Sequence, residues 1–388
     1  MKKSELFSES NDHLFIAHCS ISPLYSGAAE KMKSLIDFQV KYGNILFRDH
    51  YIQELDRFKD LMGKYFNTSP ENMAVVKNTT EAFSMIANGY PFEEGDEVVL
   101  YEHEYPANYY PWINLKGKGV KIRKLRNHPY QSGSGAGDFM TAGLPGFWSW
   151  DDLENALNER TRMIVMSHVQ FVSGYAADLE RLSKLCRDRG IDLVIDAAQS
   201  LGSLPLDLEK TPVSVLAGSG WKWMLGPVGI APFYTSPAFR DKIELTMVGA
   251  ETMVQGTDFL NHAWNPHDSA RRFEYSTSPV YQVAGFNECV EMFLEMDRDE
   301  LFEKLISLQD VFLGSLSHPD IEPVLWPGRH RSGILSLYHP APEKIVEYLY
   351  EHRTMVTSRS GYVRIAPHFY NTEAEMILAA EQLNGFEG

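Results

Sequence analysis

Along the first two-thirds of the chain, short apolar runs alternate with amphipathic stretches. Met73–Val76, Glu97–Tyr101 (EVVLY), 163–167 (MIVMS) and 193–196 (LVID) are β-rich runs bounded by turn or polar residues, which predicts buried strands. A helix is expected from about Thr79. A second, over 178–189 (DLERLSKLCRDR), carries leucines at 179, 182 and 185 amid dense charge and should stop at Gly190. Strand, helix, strand in this rhythm implies right-handed crossovers and a mostly parallel sheet with helices on both faces. From about Gln282 the pattern turns helix-rich. Helices are expected over 288–316 and Pro342–Glu351, and short strands over 333–338 and 362–366. The expected architecture is therefore α/β, with a large domain over 24–262 and a smaller α+β domain built from 1–23 and 263–388. Residues 131–147 (QSGSGAGDFMTAGLPGF) have the glycine and serine content of a long exposed loop, either an insertion or a lid.

Composition narrows the class of function. The chain has 388 residues, enough for a large shared core, and its 36 basic and 52 acidic residues give a formal charge of −16. No basic block or arginine stripe interrupts that acidity, so neither a nucleic acid nor an anionic membrane is expected as a partner. Cys19, Cys186 and Cys289 are far apart, which argues against a disulfide framework and a zinc knuckle. His262 and His267 stand five apart without cysteines or a carboxylate cluster, so no metal is expected. The first ten residues lack the apolar run of a secretory signal, and no stretch approaches the roughly 20 apolar residues of a membrane span. The expected location is the cytoplasm.

The strongest chemical feature is a pair. Asp196 ends an apolar strand in LVIDAAQSLG, and Lys222 lies 26 positions later between two tryptophans in AGSGWKWMLGPVGIAPFY. An acid at the carboxyl end of a parallel strand faces the crevice where such sheets bind ligands. A buried lysine loses proton affinity and is freed to form a Schiff base. An aspartate opposite a pyridinium nitrogen keeps pyridoxal 5′-phosphate an electron sink. Taken singly, Asp196 also fits a helix cap and Lys222 a snorkelling side chain.

At these residues the sequence resembles the class V group of fold-type I pyridoxal-phosphate enzymes, which includes cysteine desulfurases, isopenicillin N epimerase-like proteins, kynureninases and small aminotransferases. Seven segments carry the resemblance in order: NTTEA (78–82), EHEYPANYYPW (102–112), SHVQFVSG (167–174), DAAQSLG (196–202), SGWKWMLGPVGI (219–230), RRFEYSTS (271–278) and VRIAPHFYNT (363–372). The resemblance implies Thr79, Thr80 and Ser219 as phosphate ligands. On the residues alone, Asn78 and Glu81 also read as a plain capping box. It implies Tyr105, or alternatively His103, against the cofactor face, Gln199 at its phenolic oxygen and His168 at the strand end facing the ring. Thr277 is implied as a contact to the phosphate of a partner subunit, so that a homodimer shares its active sites. Arg364 is implied as the clamp on a substrate α-carboxylate, which suits a planar fork of donors. Arg359 is a weaker candidate nearby, and Ser20 lies in a segment implied to line the substrate entrance.

Three positions depart from the desulfurase pattern. The stretch ahead of Arg364, SRSGYVR, holds no cysteine; Phe171 replaces an asparagine, and Trp221 a histidine. Persulfide chemistry of the usual kind is therefore not expected, and Cys19 is the one cysteine placed near the site. The expected activity is that of an aminotransferase-like enzyme acting on an α-amino acid through a Lys222 Schiff base. Epimerisation and C–S or β-elimination are the alternatives, and a non-catalytic cofactor-binding sensor is the reading from another class.

Overall fold

The computed structural model describes residues 3–7, 13–130 and 144–388. All but the last four residues of the 131–147 loop lie outside the described residues. Seven strands form the central sheet: β1 Met73–Val76, β2 Glu97–Tyr101, β3 Lys121–Leu125, β4 Thr161–Ser167, β5 Asp192–Asp196, β6 Val215–Ala217 and β7 Ala231–Thr235. Their order is β1-β7-β6-β5-β4-β2-β3. Every pair is parallel except those made by β7, which runs antiparallel to both neighbours.

Burial on both faces explains why these strands read as continuous apolar runs rather than alternating ones. Val99, Ile164, Met166, Leu193 and Ile195 face one cluster; Val98, Leu100, Met163, Val165 and Val194 face the other. The helices used below are α1 Ser26–Tyr42, α2 Ile52–Phe66, α3 Thr79–Gly89, α4 Leu179–Arg189, α5 Val280–Leu294, α6 Arg298–Ser315, α7 Pro342–Glu351 and α8 Glu373–Asn384. As expected, α4 stops at Gly190, which adopts φ +65° and caps the helix with its N–H.

The single helix expected over 288–316 is two. The first ends at Leu294, and Asp297 caps the second, its carboxylate accepting the N–H groups of Asp299 and Glu300 at 2.9 and 3.0 Å. The first of the two, α5, packs against α1 and α2, with Phe286, Cys289, Val290 and Phe293 inside the core of the large sheet's helical layer. The sequence reading had placed it in the smaller domain.

A second sheet, all antiparallel, consists of β8 Glu322–Val324, β9 Leu335–Tyr338, β10 Thr357–Arg359 and β11 Tyr362–Ile365 in the order β10-β11-β9-β8. Leu308 and Phe312 of α6, Ile345 and Leu349 of α7, and Met376 and Ala379 of α8 pack against it. Leu14–Phe15 runs parallel to Thr354–Met355, and Ala17 bridges to Ala366, so the N-terminal segment joins this smaller unit. Among the described residues, no helix is long and apolar enough to cross a membrane, and no group of three or more His, Cys, Asp or Glu is gathered as for a metal ion.

Candidate active site

β4 and β5 end side by side, Ser167 in register with Asp196. Beyond their carboxyl ends opens a cavity of about 150 Å³, whose lining includes Thr79, Thr80, Tyr105, Asp196, Ser219 and Lys222. This is where open α/β sheets place their ligands. The helix α3 points its first turn at the cavity. Asn78 caps it, accepting the Glu81 N–H at 2.9 Å, while the Glu81 carboxylate accepts the Lys77 N–H at 2.7 Å. The capping arrangement and the anion-site reading thus coexist: the cap organises the turn, and Thr79 and Thr80 at the helix N-terminus line the cavity.

The turn carrying Lys222 is pinned from several sides. The Gly220 N–H donates to the Ile230 carbonyl at 3.1 Å, and the Gly226 N–H to the Gly220 carbonyl at 2.9 Å. Trp223 Nε1 donates to Gln199 Oε1 at 3.0 Å, and Gln199 Nε2 to the Cys19 carbonyl at 2.9 Å. The Trp223 carbonyl in turn bonds His368 Nε2 at 2.7 Å. Gly202 (φ +90°) allows this close approach, because a Cβ there would lie 2.7 Å from the Trp223 carbonyl carbon. The bulky residue Leu225 holds φ +54° just past the lysine.

Electrostatics mark the same spot. Burial pushes the Asp196 carboxyl up; a bond from the Ala198 N–H at 2.8 Å and the nearby Lys222 cation draw it back. Burial pushes the Lys222 amine down, opposed by Asp196 and by Cys19 and reinforced by the Arg364 and Arg359 cations. Two buried groups held away from their ordinary ionisation in one cavity are the signature of an acid–base site.

The remaining predicted residues divide. Tyr105 lines the cavity, with Lys222 Nζ 5.7 Å from its ring centroid. Gln199 lines it too, with its amide already bonded to Cys19 and Trp223. Arg364 is 2% exposed, donates to the Phe171 carbonyl at 2.7 Å and to Thr357 Oγ1 at 2.9 Å, and leaves its Nε without a partner. Ser20 closes a turn on Ala17, and it is its neighbour Cys19 that bonds the site. His168 is not among the lining residues: Ser167 and Val169 on either side are, and the buried imidazole, held down to about 4 by desolvation, leaves Nδ1 unpaired. Thr277 lies apart from Lys222, in a cleft with Lys77, Glu81 and Tyr275.

Phe171 and Trp221, the two departures from the desulfurase pattern, line the cavity, whereas sequence reasoning missed Ser167 and Ala107 in its lining and Glu104 behind them. Glu104 follows a predicted strand, but Glu102 sits two residues earlier, and nothing local separates the buried acid from the exposed one.

Comparisons with known proteins bear on the family and the fold. The probable cysteine desulfurase of Methanothermobacter thermautotrophicus is 23% identical over 97% of this chain and 95% of its own. A solved structure of a C-DES mutant with glycine covalently linked to its pyridoxal-phosphate cofactor superposes with a TM-score of 0.87 at 21% identity, covering 100% of both chains. The complex of the cystine C–S lyase C-DES with its product cysteine persulfide superposes with a TM-score of 0.85 at 21% identity, covering 97% of this chain and 98% of that one. At that identity the likeness establishes the fold. The sequence profile described as Aminotransferase class-V matches residues 39–375, nearly the whole chain, and the chain therefore belongs to the pyridoxal-phosphate-dependent class V aminotransferase family.

Proposed function

We propose that the protein acts on an α-amino acid through pyridoxal 5′-phosphate and breaks a C–S bond in it by β-elimination. The observation that carries the amino-acid reading is the buried Lys222 amine in one cavity with the buried Asp196 carboxyl, under the influence of the Arg364 guanidinium. The residues fit the cofactor. An acid suits its ring nitrogen, an amine its carbonyl carbon, and Thr79, Thr80 and Ser219 at a helix N-terminus suit its phosphate.

When bound, the cofactor supplies a carbonyl for amines and a ring that accepts the electron pair left at Cα. Asp196, whose rise from burial is opposed by the Ala198 N–H and by Lys222, would hold a proton on the ring nitrogen. Arg364, fixed by the Phe171 carbonyl and the Thr357 hydroxyl, grips the substrate carboxylate and so orients Cα–H. Lys222 takes the Cα proton at Nζ, a role suited to an amine whose proton affinity burial has lowered. Tyr105, Phe171 and Trp221 wall the cavity and exclude water.

Elimination then breaks Cβ–S, the sulfur leaving with the bonding pair. It needs no protein thiol, and none is at hand ahead of Arg364, where Ser360 and Gly361 alone join β10 to β11. The similarity to a C–S lyase supports this outcome over the transamination favoured by the sequence reading. Incubation with cysteine, cystine and a panel of other α-amino acids tests it. Pyruvate with a reduced sulfur species is the expected product. Accumulation of pyridoxamine phosphate would establish transamination instead, and racemised substrate epimerisation.

The same reading includes a homodimer. Phe259, Leu260 and Trp264 are 69%, 89% and 69% exposed, apolar surface that a monomer would leave in water. Thr277, remote from its own chain's Lys222, is free to complete the partner's phosphate site. Light scattering that gives twice the chain mass is the expected result.

A further inference from the structure

Glu104 is buried directly behind the cavity, and among the described residues no lysine or arginine forms an ion pair with it. Both of its oxygens engage one residue: Oε1 accepts the Ser167 N–H at 2.8 Å, and Oε2 accepts the Ser167 hydroxyl in a short contact. Ser167 lines the cavity, as does its register partner Asp196. Tyr105, covalently next to Glu104, forms another part of the wall and carries the ring near Lys222 Nζ. Glu104 therefore backs two parts of the wall at once. The titratable groups that interact with it are Asp196 on β5 and Tyr101 at the end of β2, with Glu102 and His103 beside it on its own segment.

We propose that Glu104 is a positioning residue that acts through Ser167, its proton being exchanged against the charge at Asp196. This deepens the reading of the cavity as a cofactor site and rests on it. With Glu104 ionised, the Ser167 hydroxyl donates to it and turns its lone pairs to the cavity. With Glu104 protonated, the acid donates to Ser167 Oγ and frees the hydroxyl hydrogen to point into the cavity. Two buried carboxylates repel, so a charged Asp196 retains the proton on Glu104. When the Asp196 charge is matched by a protonated ring nitrogen, that repulsion falls and Glu104 gives its proton to solvent. The position of the group agrees: burial raises it to about 7, with Asp196 adding to the rise and the Ser167 bonds opposing it. A glutamine would accept the same Ser167 N–H at lower desolvation cost, but it has no proton to exchange.

The test is a pH titration of the holoenzyme's visible absorbance and of its thermal midpoint, for wild type, E104Q, E104D and S167A. Wild type is expected to show a step below neutrality in both, since a matched Asp196 charge lowers Glu104 from about 7. E104Q should lose that step in both and E104D keep it, whereas a purely structural role would shift the thermal midpoint by the same amount at every pH. S167A, which removes one hydrogen bond to the carboxylate, should move the step upward by about half a pH unit or more. Superimposable absorbance profiles for wild type and E104Q would overturn the proposal. Should E104Q not fold, an unmoved step in S167A would do the same. A wild-type protein that stays colourless with added pyridoxal phosphate would instead sink the cofactor reading, leaving the thermal profiles to judge Glu104 by itself.

Discussion

Arg364 of β11 stands in register with Thr357 of β10, and its guanidinium donates to the Thr357 hydroxyl at 2.9 Å. A second nitrogen donates to the Phe171 carbonyl at 2.7 Å, so a guanidinium of the smaller sheet is held by a loop of the larger one. Burial depresses the guanidinium's own proton affinity, a cost that a bound carboxylate would offset.

Removing the fork should therefore act on substrate binding. Arg364→Lys is expected to raise KM for an α-amino acid about 100-fold, because a point charge replaces a bidentate one. Thr357→Val, which leaves the fork present but untethered on one side, should raise KM by about 5-fold with little change in kcat. Steady-state kinetics read both.

Lys222→Ala should abolish turnover, by about 1,000-fold or more, while the cofactor remains bound. Borohydride followed by peptide mass mapping should find the reduced adduct on Lys222 in the wild type and nowhere in the variant. An adduct on another lysine would contradict the assignment.

Asp196→Asn should leave the fold intact and still slow turnover by about 100-fold, since a neutral amide does not hold the ring nitrogen protonated. Thermal midpoints near those of wild type, with the cofactor band shifted, are the expected combination.

His168 and His368 are both buried and held down to about 4 by desolvation. The unfolded chain takes up a proton at each as pH falls through about 6.5, whereas the native state does not do so until about 4. Their stability contribution is therefore complete above pH 6.5 and lost between there and 4, on the order of 3 kcal/mol per histidine. Denaturant midpoints that fall less steeply from pH 7 to 4.5 in a His168→Gln, His368→Gln double variant than in wild type would bear this out, the buried His18, also held well below its ordinary value, keeping the remainder of the fall. Glu104 has the opposite sign: its native-state contribution is present below about 4.5 and lost as pH rises through about 7.

Gly202→Ala should destabilise by about 2 kcal/mol or more, because the new Cβ meets the Trp223 backbone at 2.7 Å in a left-handed conformation. The displaced Trp223 should loosen Lys222 as well, visible as a weakened cofactor band.

The strands β1, β2, β4 and β5, the helix α4 with its glycine stop, and the Asp196–Lys222 pair were legible in the chain itself. Each depends on local information: an apolar run long enough to be covered on both sides, a 3.6-residue periodicity, or residue types ill-suited to solvent in their immediate context. The cap at Asp297 was also written locally, but apolar residues on either side of 297–300 (DRDE) led the two helices to be read as one. What the tertiary structure decided was phase and partnership. Ser167 and His168 are adjacent and both polar, and only the pairing of β4 with β5 sets which of them meets the cavity. Glu104 and Glu102 are likewise interchangeable on the page until Ser167, 63 positions away, claims one of them. The Arg364 guanidinium is held in place by the carbonyl of Phe171, 193 positions earlier. Such contacts follow from how distant segments of the chain pair and pack. That arrangement minimises exposed apolar area over the whole chain, so no short window of sequence contains it.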